Sequence, residues 1–159
     1  MHWTVLGLSN VREEKFIKPF IEKYSNQVKY FKMDERLSVM EALNHAITNA
    51  SGEFIAQLCV DDRYAIDALE VMAKHLSLDK DVDLVYGDTL QSTKENETVK
   101  QNSSMGRLYE HSLMGFNKEA CIKCLQGPMP MWRASIHDKV GYFEETMKFA
   151  GDWDLMLRM

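Results

Sequence analysis

Apolar positions along this chain alternate between two spacings. Trp3 to Leu8 and Val28 to Phe31 are short runs of strand-forming residues, whereas Phe16, Ile17, Phe20, Ile21 and Tyr24 recur at helical spacing between them. That helical face is expected to cover a sheet, with Pro19 kinking or shortening the helix. Val39, Met40, Leu43, Ile47 and Ala50 mark a second amphipathic helix, closed by Ser51 and Gly52 as a left-handed cap. Glu53 to Asp62 reads as a third strand, and its near-continuous apolar run implies burial on both faces, as in a central parallel strand. Ala65 to Leu78 returns to helical period, and Val82 to Tyr86 makes a fourth strand ending at Gly87 and Asp88. Strands alternating with helices of this length predict an α/β fold built from βαβ units.

The rhythm then stops. Thr89 to Asn102 is polar and predicts a solvent-exposed hairpin or excursion; Gly106 to Asn117 is expected to be partly helical. Gly127, Pro128 and Pro130 rule out a regular helix across Cys121 to Met131. Arg133 to Val140 suits a short helix, and Gly151 to Met159 begins another. There is no repeat, low-complexity tract or linker, so residues 1–159 are expected to form a single domain.

Composition narrows the class of partner more than the fold. With 45% hydrophobic and 27% charged residues the chain sits at the globular average. Its formal charge of -5 argues against nucleic acid or an anionic membrane as a generic partner. Cys59, inside the predicted strand, is expected to behave as a small hydrophobe, and three cysteines suit a reducing cytosol better than a disulfide framework. Cys121 and Cys124 have the spacing of a redox or zinc half-motif, but a second cysteine pair or histidine element is lacking. No run is long enough to span a bilayer and the N-terminus lacks a signal core, which predicts a cytoplasmic protein. Peripheral association at the inner face of the membrane stays open.

Chemistry concentrates where the third strand ends. Ligands of parallel α/β sheets bind outside the carboxyl ends of strands, and Asp61 and Asp62 lie there as adjacent carboxylates. Two carboxylates suggest a cation, and a cation suggests a phosphate. The plainer alternative makes Asp62 a helix N-cap and Asp61 a loop acid.

Together these stretches resemble family 2 glycosyltransferases of the GT-A fold, a three-layer α/β/α architecture on a mostly parallel central sheet. The resemblance rests on Asn44, Ala46, Ile47 and Ala50 in a helix leading to Asp61 and Asp62, then Val85 to Asp88, then Met131 to Ser135, Lys139 to Glu144, and Gly151 to Arg158. The family commonly carries a D-x-D metal motif, whose first acid would here be Cys59. It also opens with a strand and helix ahead of anything matched here, so the resemblance implies a chain that starts at the second strand and stops within the C-terminal part.

The resemblance implies a nucleotide-sugar donor (UDP- or GDP-sugar), a saccharide or lipid-linked acceptor, and Mn²⁺ or Mg²⁺ on Asp61 and Asp62. It makes Asp152 the catalytic base, with Asp154 as its rival two residues later on another helix face. Arg36 would meet the donor diphosphate, an exposed ion pair being its alternative. Trp132 and Arg133 would border the acceptor, against a core role for the Trp, and Asp88 would approach the same crevice or serve its turn. Two other readings compete. One is a non-catalytic GT-A-like domain that dimerises through an open sheet edge. The other is a receiver-like signalling module, for which the required further acids and late lysine are missing.

Overall fold

The computed structural model describes residues 3–8, 11–59, 61–102, 106–111 and 127–159, with residues 3–8 and 11–13 described through their backbone. The chain divides into two compact units, residues 1–53 with 134–159 and residues 54–133.

The first unit opens on strand β1 (Trp3–Leu8), helix α1 (Val11–Lys23) and strand β2 (Val28–Met33). β1 and β2 pair in parallel from Trp3 opposite Val28 to Leu8 opposite Met33, which makes this a βαβ unit. Helix α1 runs through Pro19 instead of stopping there. Its apolar face is divided: Ile17 and Ile21 are half-buried, but Phe16, Phe20 and Tyr24 are 73%, 59% and 39% exposed. The expectation that all five cover a sheet is thus corrected, because the two isoleucines and the three aromatics fall about 100° apart around the helix.

Helix α2 (Val39–Thr48) begins at a capping box. The Glu41 amide donates to Ser38 Oγ at 3.2 Å while the Ser38 amide donates to Glu41 Oε2 at 2.7 Å. Those contacts hold the Glu41 carboxyl below its usual range. The helix ends at Thr48, not at a left-handed Gly52. Thr48 Oγ1 and Asn49 Nδ2 instead donate to the Asn44 and His45 carbonyls, each at 2.9 Å. Helices α4 (Ile136–Val140) and α5 (Gly151–Arg158) complete this unit, and Ile136, Phe143, Leu155 and Met156 are buried in it.

In the second unit, strand β3 (Phe54–Ala56) and strand β4 (Leu84–Val85) flank strand β7 (Met131–Arg133), both antiparallel to it and hence parallel to each other. Helix α3 (Ala68–Leu78) packs on this sheet, where Met72, Leu76 and Met131 form a core with Phe54, Leu69, Ala73, Val82 and Val85 against it. The third strand is therefore much shorter than expected and is not buried on both faces. Phe54 and Ile55 are half-buried, Ala56 is exposed, and backbone pairing ends there.

The polar stretch after the fourth strand is a hairpin-like excursion. Strand β5 (Thr89–Leu90) pairs antiparallel with strand β6 (Leu108–Tyr109), so part of the expected Gly106–Asn117 helix is a strand. Residues 112–117 of that stretch, and Cys121 and Cys124, lie outside the described residues.

Candidate functional site

With pairing finished at Ala56, the residues Gln57–Cys59 and Asp61–Tyr64 are tied to one another and to their surroundings by hydrogen bonds. Tyr64 donates its hydroxyl to the Gln57 carbonyl at 2.7 Å, Gln57 Nε2 donates to the Pro128 carbonyl at 3.0 Å, and the Asp62 amide donates to the Cys59 carbonyl at 3.2 Å. Asp61 and Asp62 therefore sit on a pinned loop, five residues or more beyond the last paired residue, not at a strand terminus. Asp61 is exposed and Asp62 half-buried. Neither forms an ion pair among the described residues.

Like charges side by side leave an electrostatic mark. Burial first, and then the negative charge of Asp61, push the Asp62 carboxyl above its usual range. Burial and the same two carboxylates raise the Cys59 thiol, and burial with the Asp62 charge pushes Tyr64 up to about 12. Cys59 is exposed, which corrects its expected place inside a buried strand. A protonated thiol is also a poor ligand for a hard cation.

Among the described residues no group of three or more His, Cys, Asp or Glu side chains converges to hold a metal by itself. A two-carboxylate site nevertheless suits Mg²⁺ or Mn²⁺, which are bound through one or two carboxylates and completed by substrate phosphates. The uncompensated pair fits such an ion.

Asp152 and Arg36 belong to the first unit; Asp61, Asp62, Asp88, Trp132 and Arg133 belong to the second. Asp152 is half-buried on the first turn of α5. Its rival Asp154 is committed elsewhere, accepting from Arg158 Nε at 3.0 Å and from Arg158 Nη2 at 2.8 Å. Arg158 also donates to the carbonyls of Val140 and Tyr142, so this pair ties α5 to the segment ahead of it. Gly151 allows α5 to approach α2 closely, since a Cβ there would lie 2.6 Å from Met40 Sδ. Arg36 is exposed in the link between β2 and α2, and no carboxylate pairs with it among the described residues. The ion-pair alternative for it falls away.

Two expected acceptor residues are structural instead. Trp132 is 2% exposed at the middle of β7, with Ile55 and Leu84 opposite it on the neighbouring strands, and retains no ring face for a sugar. Arg133 is 8% exposed. Its Nε donates to the Val82 carbonyl at 2.9 Å and its Nη2 to the Asp79 carbonyl at 2.8 Å and to the Leu76 carbonyl, which closes the C-terminal end of α3. Asp88 is exposed just before β5.

Asn44 has a clearer role than its place in the helix pattern suggested. Its Oδ1 accepts from the Phe143 amide at 3.0 Å, and its Nδ2 donates to the Phe143 carbonyl and to Glu145 Oε1, each at 2.9 Å. This buried amide binds the 143–145 segment to α2. Asn44→Ala removes these hydrogen bonds to the Phe143 amide and carbonyl and to Glu145, and a loss of about 2–4 kcal/mol is expected from urea unfolding. The signal in the sequence was a lone polar residue on the apolar face of α2, between Leu43 and Ile47.

A family model described as Glycosyl transferase family 2 matches residues 10–141. Among solved structures, the crystal structure of S. aureus TarS 1-349 superposes with a TM-score of 0.69 at 17% identity, covering 99% of this chain and 45% of that one. The chain thus spans less than half the length of that structure. At such identity the likeness is one of fold, and that fold is GT-A. No curated protein matches.

Proposed function

This chain belongs to glycosyl transferase family 2, and from that premise we propose that it moves a sugar from a nucleoside-diphosphate sugar, UDP- or GDP-linked, to a saccharide or lipid-linked acceptor with inversion at the anomeric carbon. The observation that carries this reading is the uncompensated carboxylate pair Asp61 and Asp62 on its pinned loop.

Asp61 and Asp62 would hold Mn²⁺ or Mg²⁺ together with donor phosphate oxygens, and the bound cation would offset the charge that grows on the departing diphosphate. Arg36 supplies a further positive charge for that diphosphate. Asp152 takes the proton of the attacking acceptor hydroxyl. One bond forms between the acceptor oxygen and the anomeric carbon, while the bond from that carbon to the diphosphate breaks on the opposite face. The proton ends on Asp152 and the electron pair on the diphosphate. Among the described residues no helix is long and apolar enough to cross a membrane.

The pH dependence of cation binding follows from the raised Asp62 carboxyl. Because the folded chain holds this proton more tightly than the unfolded chain, ionising Asp62 opposes folding. That opposition is absent below the unfolded value, near pH 4, and complete above the folded one. At pH 7 Mn²⁺ with UDP is therefore expected to raise the melting temperature, and below about pH 4 to have no effect. Asp62→Asn should remove the response to Mn²⁺ at pH 7 and abolish donor hydrolysis. If no nucleotide of a UDP and GDP panel binds in Mn²⁺, and no UDP- or GDP-sugar is hydrolysed or transferred, the transferase reading fails.

A further inference from the structure

We propose that Tyr64 is a positioning residue for a divalent cation at Asp61 and Asp62, its hydroxyl holding the base of the turn that carries the two carboxylates. The proposal rests on the cation binding of the transferase reading and adds to that site a residue that acts through its carboxylates.

The strand-forming run from Phe54 to Cys59 outlasts its pairing, since the ladder with β7 stops at Ala56 opposite Met131. The next carbonyl, that of Gln57, accepts from the Tyr64 hydroxyl at 2.7 Å. Inside that bond lies a second one, from the Asp62 amide to the Cys59 carbonyl at 3.2 Å. The two are nested, residue 64 to 57 outside and residue 62 to 59 within, and Asp61 and Asp62 ride on the inner turn. A further tie fixes the base sideways. Gln57 Nε2 donates to the Pro128 carbonyl at 3.0 Å, and the following carbonyl, of Met129, lies 3.5 Å from the Tyr64 hydroxyl. Both carbonyls stand just ahead of β7, the central strand of this sheet.

Tyr64 suits the task because its two ends meet different surroundings. Its ring packs against the core of Met72, Leu76 and Met131, while its hydroxyl stays among backbone carbonyls. A ring held by packing has few torsions left to change, so the core sets where the hydroxyl lies. The carboxylates need that support. Adjacent negative charges repel each other, and a two-carboxylate site holds an ion only while both acids stay within its reach. Loop residues drift easily unless they are tied, and the outer bond opposes that drift.

The test titrates Mn²⁺, alone and with UDP, into the full chain and reads the free ion by electron paramagnetic resonance. The original chain should bind Mn²⁺, and Asp62→Asn should remove that binding. Tyr64→Phe, which deletes the hydroxyl and keeps the ring, should weaken it about 10–100-fold, the range for loss of a partner that orients a metal ligand. The Mn²⁺ concentration for half-maximal donor hydrolysis should rise by the same factor, with kcat at saturating Mn²⁺ unaltered. A hydroxyl that only stabilises the fold would lower the melting temperature without Mn²⁺ and leave the Mn²⁺ dissociation constant as it was. That result overturns the proposal, as does a chain that binds no Mn²⁺ in either condition, or binding that survives Asp62→Asn. The two readings fail separately. Equal Mn²⁺ binding by Tyr64→Phe and the original chain, with donor turned over, sinks the Tyr64 role alone. Tyr64-dependent Mn²⁺ binding with no donor bound or turned over sinks the transferase reading alone.

Discussion

Asp152→Asn should lower the rate of sugar transfer at saturating donor and acceptor by about 10²–10⁴-fold, the range for loss of a positioned general base. Donor affinity, measured by calorimetry with UDP and Mn²⁺, should survive, because the role proposed for the substituted group is on the acceptor. The paired control is Asp154→Asn. Asp154 is bound to Arg158 at 2.8 Å, and Arg158 in turn holds the Val140 and Tyr142 carbonyls. Losing that carboxylate should show chiefly as reduced stability, by about 1 kcal/mol given its partial exposure. If the two variants exchange these phenotypes, the assignment of Asp152 as base is wrong.

Arg133→Leu should cost about 3–5 kcal/mol of folding free energy, read as a lower urea midpoint at unchanged slope. Arg133 is 8% exposed and donates to the Leu76, Asp79 and Val82 carbonyls, with Asp83 at 4.0 Å and its guanidinium 5.5 Å from the Phe54 ring. A leucine fills part of the volume but leaves the α3 carbonyls without their donor. Lysine should rescue little, since one ammonium cannot reproduce a planar fork that reaches separate carbonyls. Had Arg133 bordered an acceptor, its loss would reduce turnover with stability intact. That outcome would restore the reading made from its neighbours in sequence.

The contrast between Arg133 and Asp152 shows what kind of information a motif carries. Both follow an apolar stretch and both looked like cleft residues. A helix N-terminus places Asp152 by local geometry alone, whereas the role of Arg133 depends on where α3 ends, more than fifty residues earlier in the chain. Trp132 is a similar case: its burial comes from strands on both sides, which local periodicity does not report. The loop around Asp61 and Asp62 escaped notice for another reason. An apolar run such as Phe54 to Cys59 satisfies strand preferences residue by residue, but Gln57 and Tyr64 close the loop by side-chain hydrogen bonds with no periodic signature.

The sequence by itself determined the helices, the order of strands and helices through residue 88, and the carboxylates worth testing. Helical and strand periods follow from local backbone geometry, and acidic residues are scarce enough near element ends to stand out. Tertiary structure alone decided which of these side chains are buried and bonded and which stay exposed. It sent Trp132 and Arg133 into the core, bound Asp154 to Arg158, made Asn44 the tie to Phe143, and left Phe149 exposed. Burial and hydrogen bonding are settled by partners distant in the chain, and no short stretch of sequence contains those partners.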